Sequence, residues 1–457
     1  MSRLITEIRS LLKLALPVSL AQLALVGMTA TDVLIAGNAS TVDLAGINLG
    51  ANTWNMIICF FMGIGFATQP LVAKHFGAKN QAGIKNQLHQ SIWLCFGLGV
   101  IATLLTWLAS YLLSFINYEY GLLDIARNYL VVIALCAIPS AMIPAVRGTL
   151  EGMSYPRPVF WINLSAFLLN IPLDYVLVNG LYGFPQLGGV GCAWATVFLV
   201  WCMFLLNVLV INRHEKLKHL KLLADFSNPD RKSIENTVKL GFPIGVSIFI
   251  ELSMFCGAGM MIAMFGTIEA AAHSVAITIA SMSFMLYMGL GQGVTIRASQ
   301  FLGANQADKA WYTIKSGTSF NILVSIVMCY IFIFYNEALI GLFSSDKQVI
   351  ELAIVLLYFG AAFQIADSLQ VAVVCALRAY HDTTSPPKYQ FIAFFVLGLP
   401  LGVGLAFYNW WPGLEGAKGL WFAMVASLSL VGVLLLRRLL GVARSHSFVI
   451  QPHAIVK

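Results

Sequence analysis

The sequence predicts an all-α polytopic membrane protein, in which twelve transmembrane helices form two six-helix bundles related by a pseudo-two-fold axis along the membrane normal. Three observations predict this fold class. The 457 residues are 59% hydrophobic and only 10% charged. Apolar runs long enough to cross a bilayer recur along the whole chain, and the second half repeats the pattern of the first half at an offset of about 226 residues.

Composition excludes a soluble globular protein. An ordinary soluble domain carries about 25% charged residues, whereas this chain carries 10%. A helix needs about 20 apolar residues to cross a hydrocarbon core of about 30 Å. A porin-type barrel would instead show segments of roughly ten residues with alternating polarity, and the chain lacks that pattern. Spanning helices are therefore predicted.

Hydropathy and the breaks between apolar runs predict six spans in each half of the chain. The predicted spans lie near residues 11–36, 47–73, 90–114, 126–148, 158–179, 189–212, 237–265, 270–297, 313–334, 350–377, 390–408 and 414–436. The first run is too long for the core of a signal peptide and has no small-residue cleavage site, so it is interpreted as a retained span.

The distribution of lysine and arginine predicts the orientation. Of the 27 basic residues, 24 lie at the termini or in the connections after the even-numbered predicted spans, and the exceptions are Arg127, Lys347 and Lys418. Both termini are therefore expected on the cytoplasmic side of the cell inner membrane. This bias accounts for the formal net charge of +7, so no nucleic-acid partner is expected.

An internal repeat relates the two halves. At an offset of 226 residues, Pro17 falls on Pro243, and the segment 62–80 aligns without a gap with 288–306. The repeat predicts an N-terminal bundle over 1–212, a cytoplasmic linker over 213–236, a C-terminal bundle over 237–436 and a cytoplasmic tail over 437–457. Because six spans return the chain to its starting side, both halves share one topology, with a cleft between them that suits alternating access.

Four acidic residues lie inside predicted spans, namely Asp32, Asp174, Glu251 and Asp367. A charge at helix centre costs about 2.5 to 3.5 kcal/mol on insertion scales, so four would cost about 10 to 14 kcal/mol. No lysine or arginine lies in the middle of a span to pair with them. The carboxyl groups are therefore expected to be protonated, to hold a cation or to face water.

In the first half, Asn170 and Asp174 are four residues apart and so share one face of a helix, which Pro172 is expected to kink. Thr196 in the next span adds a hydroxyl group. Together with Asp32, these hard oxygen ligands suit a proton or a sodium ion better than a transition metal.

The second half carries a different polar set, because Asp32 falls opposite Ala258, and Glu251 opposite Leu25, at the 226 offset. Glu251 and Asp367 are its candidate coupling acids, and the four span acids are the candidate ligands of a sodium ion. Aromatic, thioether and amide side chains near them are candidate substrate contacts, with ordinary helix packing as the alternative interpretation; they are Tyr287, Phe363, Gln364, Met282, Met285 and Met288.

The chain resembles the multidrug and toxic compound extrusion (MATE) family, and most closely its NorM-like bacterial branch. The resemblance rests on LALPVSLAQL (14–23) with Asp32, the glycine-containing segment 63–78 and its copy 289–304, and NIPLD (170–174). Glu251 and FQIADSLQVA (363–372) complete it. Some members have a tyrosine where this chain has Phe363.

The resemblance implies a secondary antiporter that exports cationic, lipophilic, drug-like compounds in exchange for Na+ or H+. No cofactor apart from the coupling ion is expected. Nothing in the sequence demands a partner subunit, so a monomer is expected. The resemblance also implies two cation sites. The first-half site consists of Asp32, Asn170, Asp174 and Thr196, and the second-half site consists of Glu251 and Asp367.

Other classes fit the residues less well. A flippase for lipid-linked precursors, or another small-molecule exporter of related layout, is the principal alternative, although a flippase is expected to hold phosphate with basic residues in mid-membrane. A major-facilitator transporter would also have six plus six helices, but the connection after span 2 has no basic signature beyond Lys74 and Lys79. An enzyme is not expected, because the chain has no paired histidines, serine-centred elbow or phosphate-binding loop.

Overall fold

A computed structural model describes residues 2–39, 41–115, 121–215, 217–344 and 346–449, and the regular secondary structure of these residues is helical. The α-helices of the first half are α1 (Ser2–Ala39), α2 (Thr41–Gly65), α3 (Thr68–Gly77), α4 (Gln81–Leu113), α5 (Leu122–Ile133), α6 (Ala137–Gly152), α7 (Pro156–Asn179) and α8 (Val190–Arg213). Those of the second half are α9 (Arg231–Ala263), α10 (Thr267–Gly303), α11 (Ala307–Phe334), α12 (Asn336–Gly341), α13 (Lys347–Ala379), α14 (Ser385–Phe391), α15 (Leu399–Tyr408) and α16 (Ala417–Val449).

Twelve helical segments among the described residues are long and apolar enough to cross a membrane, which confirms the predicted number of spans. Three of these segments combine shorter helices. Span 2 joins α2 and α3, span 4 joins α5 and α6 through a 3-10 turn at Ala134–Cys136, and span 11 joins α14 and α15 through a π-helix at Ile392–Gly398. The chain is a multi-pass membrane protein.

Several helices extend beyond their predicted spans because polar ends continue the helix past the apolar core. The span predicted to begin near residue 90 begins at Gln81, where the side chain of Asn80 caps α4 by accepting a hydrogen bond from Gly83 N at 2.9 Å. At the other end of the chain, α16 continues to Val449, through the first part of the predicted tail. The rest of that tail, 450–457, lies outside the described residues.

The chain forms two compact units, one comprising Leu20–Gly245 and the other Met1–Ser19 with Val246–Lys457. The boundaries therefore lie inside α1 and α9, within a turn of the in-helix prolines Pro17 and Pro243. These units differ from the predicted bundles in two segments. The part of α1 up to Ser19 belongs with the C-terminal unit, and the part of α9 up to Gly245 belongs with the N-terminal unit. The predicted domain boundaries follow the sequence repeat and stay a prediction.

An ion pair explains why the first segment of α1 belongs with the C-terminal unit. Arg297 of α10 donates from Nε to Glu7 Oε1 at 2.6 Å and from Nη2 to Glu7 Oε2 at 2.8 Å. Thr313 of α11 donates to the same Oε1 at 2.6 Å. A bidentate arginine–carboxylate pair is among the stronger charge-assisted contacts, so Glu7 attaches α1 to α10 and α11.

Each unit has its own apolar cores. In the Leu20–Gly245 unit, Ile58, Leu130 and Leu199 lie in one cluster of buried residues, and Leu88 and Leu150 lie in another. In the other unit, one cluster includes Leu377, Phe394 and Leu428, and another includes Leu356 and Trp421. Many large apolar side chains remain exposed on the helix surfaces, as a bilayer solvent permits; examples are Leu104, Trp107, Leu205, Phe334 and Val396.

A buried ionic network lies within the Leu20–Gly245 unit. Arg147 Nε donates to Glu151 Oε1 at 2.6 Å, and the two side chains are 8% and 3% exposed. Gln69 Nε2 donates to Glu151 Oε2 at 2.6 Å, and Arg147 Nη1 donates to Gln22 Oε1 at 3.3 Å. The network thus links α6 to α3 and to α1.

Replacing Arg147 by methionine is expected to destabilise the protein by about 3 to 5 kcal/mol, because it leaves the buried Glu151 carboxylate without its countercharge. The melting temperature of the purified protein measures the effect. The matched control is Lys85→Met, since the Lys85–Asp225 pair spans 3.3 Å and Asp225 is 92% exposed. Such an exposed pair contributes about 0 to 1 kcal/mol. Equal melting temperatures for the two variants would contradict the importance of the buried network.

Candidate cation-binding sites

The first candidate site joins side chains from α1, α7 and α8. Asn170 Nδ2 donates to Asp32 Oδ1 at 3.0 Å, and Thr196 Oγ1 donates to Asp32 Oδ2 at 3.3 Å. Carboxylate oxygens of Asp32 and Asp174 lie within 4.8 Å of each other. The structure therefore brings together the four residues that the sequence grouped as a first-half site.

Helix α7 presents one polar face toward α1. Asn163 lies seven residues before Asn170, which places both on that face together with Asp174. Asn163 Nδ2 donates to the main-chain oxygen of Ala21 at 3.2 Å and so ties α7 to α1. A Cβ atom at Gly27 would lie 2.7 Å from the Phe167 ring, so glycine permits the close approach of the two helices. Helix α7 remains helical through Pro172.

Three buried acceptor atoms in this site receive no hydrogen bond from the described part of the chain. They are Asn170 Oδ1, Asp174 Oδ1 and Asp174 Oδ2, and both residues are 0% exposed. A buried acceptor without a donor is unfavourable by about 1 to 3 kcal/mol, and more when it is charged. These oxygens, with the Asp32 carboxylate and the Thr196 hydroxyl, have the chemistry of ligands for a proton or a hard cation.

Cys192 is a neighbour that the sequence did not assign to the site. It lies four residues before Thr196 on α8, a spacing that places both on one helix face. Its Sγ lies within 4.8 Å of carboxylate oxygens of Asp32 and Asp174. Because Sγ donates to the main-chain oxygen of Asp32 at 3.7 Å, the thiol is a packing and hydrogen-bonding neighbour. A soft sulfur ligand would not favour sodium.

The second candidate site is centred on Glu251 in α9. Gln370 Nε2 donates to Glu251 Oε1 at 3.3 Å, and Gln390 Nε2 donates to Oε2 at 3.4 Å. Ser247, one turn before Glu251, donates to Gln390 Oε1 at 2.5 Å. Neither glutamine is among the site residues predicted from the sequence. The signal for Gln370 was its position three residues after Asp367, but Gln390 follows a helix break and had no such signal.

Asp367 is 1% exposed on α13, and neither of its carboxylate oxygens has a hydrogen-bond donor among the described residues. Its carboxyl group interacts electrostatically with Glu251. Arg378, which lies near the end of α13 and is 8% exposed, also interacts electrostatically with Glu251. This arginine lies about three turns beyond Asp367 and one residue past the predicted span 350–377, so it is consistent with the expectation that no basic residue lies in the middle of a span.

The candidate substrate contacts of the second half lie in different environments. Tyr287 is 0% exposed, and its hydroxyl and that of Ser283 donate to Gln364 Oε1 at 2.7 and 2.6 Å. Phe363 is 3% exposed, with its ring centroid 5.9 Å from that of Phe255. Met282 is 43% exposed, and Met285 and Met288 are half-buried. A role of these residues in substrate binding stays a prediction.

Comparison with protein families identifies the chain. The MatE family profile matches residues 17–176 and again residues 243–403. The chain belongs to the MatE family. The two matched segments of this MatE chain begin at Pro17 and Pro243, which are the prolines paired by the repeat. They include Asp32, Asn170, Asp174, Glu251 and Asp367, whereas Thr196 lies beyond the first segment.

Curated relatives of this MatE chain include bacterial proteins of the NorM type, which confirms the resemblance found in the sequence. The multidrug resistance protein NorM of Vibrio cholerae is 32% identical over 440 residues, covering 96% of each chain. The multidrug resistance protein PmpM of Pseudomonas aeruginosa is 32% identical over 443 residues, covering 97% of this chain and 93% of the relative.

Solved structures confirm the predicted fold class. The eukaryotic MATE transporter AtDTX14 matches with a TM-score of 0.88 at 18% identity, covering 98% of this chain and 100% of that one. An outward-facing conformation of a multidrug resistance MATE family transporter matches with a TM-score of 0.86 at 16% identity, covering 96% of each chain. The MatE chain thus has the MATE fold.

Proposed function

We propose that this protein is a multidrug efflux transporter of the cell inner membrane, which exports lipophilic organic cations in antiport with Na+ or H+ by alternating access. Membership of the MatE family and similarity to multidrug resistance proteins along nearly the whole chain support the general function. Both termini are cytoplasmic in this proposal, as the distribution of basic residues predicts.

The observation that carries the proposal is the set of buried acceptors without donors. Asp174 and Asp367 each present two carboxylate oxygens that receive no hydrogen bond from the described residues. Buried carboxylates are ordinarily paired, hydrogen-bonded or neutralised. A transporter that takes up and releases an ion requires acids of this kind, because a carboxylate saturated by permanent donors would gain little from binding the ion.

The mechanism follows from competition between the ion and the drug for negative charge. In the outward-facing state, the coupling ion binds to the buried acids, which are Asp32, Asp174, Glu251 and Asp367. The neutralised acids no longer attract the cationic drug, so the drug leaves. On the cytoplasmic side the ion departs, and the acids attract the next drug molecule. Thermodynamic linkage requires that each ligand weaken the binding of the other, directly or through the conformational equilibrium.

The oxygen atoms of the first candidate site can bind either Na+ or H+. Asp32, Asp174, Thr196 and the Asn170 amide oxygen could surround a sodium ion without nitrogen or sulfur ligands. Either carboxyl group could instead take a proton. In both cases the ion is a transported substrate of the protein.

Reconstituted vesicles test the proposal. Purified protein is placed in liposomes loaded with ethidium, and sodium and proton gradients are imposed separately. We expect one or both gradients to accelerate ethidium movement at least about tenfold over the same protein-containing vesicles without a gradient, which corresponds to about 1.4 kcal/mol in activation free energy. Movement that neither gradient accelerates would contradict antiport, and translocation of a lipid-linked precursor under the same conditions would favour the flippase alternative.

A further inference from the structure

A cavity of about 280 Å³ lies within the C-terminal unit, between α9, the π-helix with α15, and α16. Its lining includes Ala258 from α9, Gly398 at the end of the π-helix, Gly402 from α15 and Ala423 from α16. Exposed Met260 and Leu399 stand at its edge. The cavity is separate from the side chains that contact Glu251.

The sequence repeat gives this cavity a counterpart in the other half of the chain. The 226 offset carries Asp32 onto Ala258, and the 228 offset that pairs Pro172 with Pro400 carries Asn170 and Asp174 onto Gly398 and Gly402. The 227 offset that pairs Trp194 with Trp421 carries Thr196 onto Ala423. All four residues of the first cation site therefore correspond to lining residues of the cavity.

Replacement of those four polar side chains by alanine and glycine changes the chemistry of the site. No carboxylate lines the cavity, and its walls are mostly methionine, phenylalanine and small residues. Ser427 also lines it, but its hydroxyl group donates to the main-chain oxygen of Ala423 at 2.8 Å. A cation would therefore lose its hydration without gaining charged ligands, which excludes the cavity as a second copy of the ion site.

The backbone around the cavity has little room for larger residues at two of these positions. A Cβ atom at Gly398 would lie 2.9 Å from the main-chain oxygen of Ala393 and from Ser427 Cβ, and one at Gly402 would lie 3.1 Å from Leu420 Cδ2. The π-helix ends at Gly398, two residues before Pro400. Such π segments are uncommon and occur frequently at functional sites.

We propose that this cavity binds a compact, uncharged aromatic compound. Its volume is near the lower end of the roughly 300 to 1,000 Å³ typical of ligand pockets. Met254, Met261 and Met424 provide flexible, polarisable walls, and Phe394 and Phe395 provide aromatic ones. Thioether groups pack favourably against aromatic rings. The two halves of the repeat thus carry an oxygen-lined cation site and an apolar site at equivalent positions.

The occupant favoured over a lipid chain is a compact ring system, because the cavity holds only about 280 Å³ and its walls include four methionine and two phenylalanine side chains. This inference does not depend on the proposed antiport, since it concerns binding to the purified protein without any gradient. The cavity can therefore be tested even if transport is not observed.

Gly257 offers a way to fill the cavity. It lines the cavity, and a Cβ atom added to it would meet no other atom within 4 Å. Gly257→Phe is therefore expected to occupy the space that the ligand would use, whereas Gly257→Ala adds only a methyl group and is the matched control. Gly257→Leu is a second filling variant with a smaller side chain, for use if the phenylalanine variant does not fold.

The test measures binding of radiolabelled N-phenyl-1-naphthylamine, an uncharged aromatic probe, to the full chain in lipid nanodiscs. We expect saturable binding that Gly257→Phe or Gly257→Leu weakens at least about tenfold and that Gly257→Ala changes by less than about threefold. Absence of saturable binding, or equal binding by wild type and both filling variants, would overturn the proposal. Competition by a single-chain fatty acid, at a concentration that leaves the partition of the probe into empty nanodiscs unchanged, would also overturn it and identify the cavity as a lipid site.

Discussion

Replacing Asp174 by asparagine is expected to lower ion-driven ethidium efflux by roughly 100-fold, near the upper end of ordinary coupling between two ligands. Asparagine preserves the size of this fully buried side chain but cannot become negatively charged. The site would lose the carboxylate whose two oxygens have no donor among the described residues. Initial efflux rates from vesicles with an imposed gradient provide the measurement.

The matched control for this variant is Asp225→Asn. Asp225 is 92% exposed and pairs with Lys85 on the protein surface, so the same chemical change there is expected to leave efflux within about twofold of wild type. Asp32→Asn should behave like Asp174→Asn, because Asp32 accepts hydrogen bonds from both Asn170 and Thr196. Wild-type efflux by both site variants would reject a first-half cation site.

Replacing Glu251 by glutamine is expected to reduce efflux at least about tenfold. Gln370 and Gln390 both donate amide hydrogens to the Glu251 carboxylate. A glutamine at position 251 offers one acceptor oxygen, so its own amide group would face one of these donors, and the position could no longer exchange an ion. A lost charge-assisted hydrogen bond is worth about 1.5 to 3 kcal/mol. The same vesicle assay measures the rate.

The chain offers a matched control for Glu251→Gln on the same helix. Glu235 of α9 pairs with Lys239 at 2.7 Å, and the two side chains are 54% and 69% exposed. Glu235→Gln is therefore expected to transport normally. Asp367→Asn should share the defect of Glu251→Gln, because the two carboxyl groups interact. If neither substitution lowers efflux while Asp174→Asn does, only the first site takes part in coupling.

Much of the fold could be predicted because hydropathy is a local property. Twelve apolar runs correspond to twelve spanning segments in the described part of the chain, since the bilayer demands a minimum apolar length from every spanning helix. Helix ends were less predictable. The polar beginning of α4 has no hydropathy signal, and its position depends on the cap formed by Asn80. Likewise, the bidentate pair between Glu7 and Arg297 joins residues 290 positions apart.

The two candidate sites differed in how far the sequence could define them. Asn170 and Asp174 share a helix face by their spacing alone. Asp32 and Thr196 could be grouped with them because both are oxygen ligands in predicted spans of the first half. The donors to Glu251 were not identifiable, because Gln370 and Gln390 lie 119 and 139 residues away in the chain. Their contact depends on how α9, α13 and α14 pack.

The sequence by itself determined the membrane class, the number of spans, the internal repeat and the four acidic residues that lie inside spans. These properties follow from local hydropathy, residue spacing and the cost of burying charge. Only the tertiary structure decided which buried acceptors receive no hydrogen bond from the described residues, which side chains donate to Glu251, and that the counterpart of the first site is a cavity. Hydrogen bonds and voids depend on distances between helices that are remote in sequence, and residue spacing along one helix does not specify those distances.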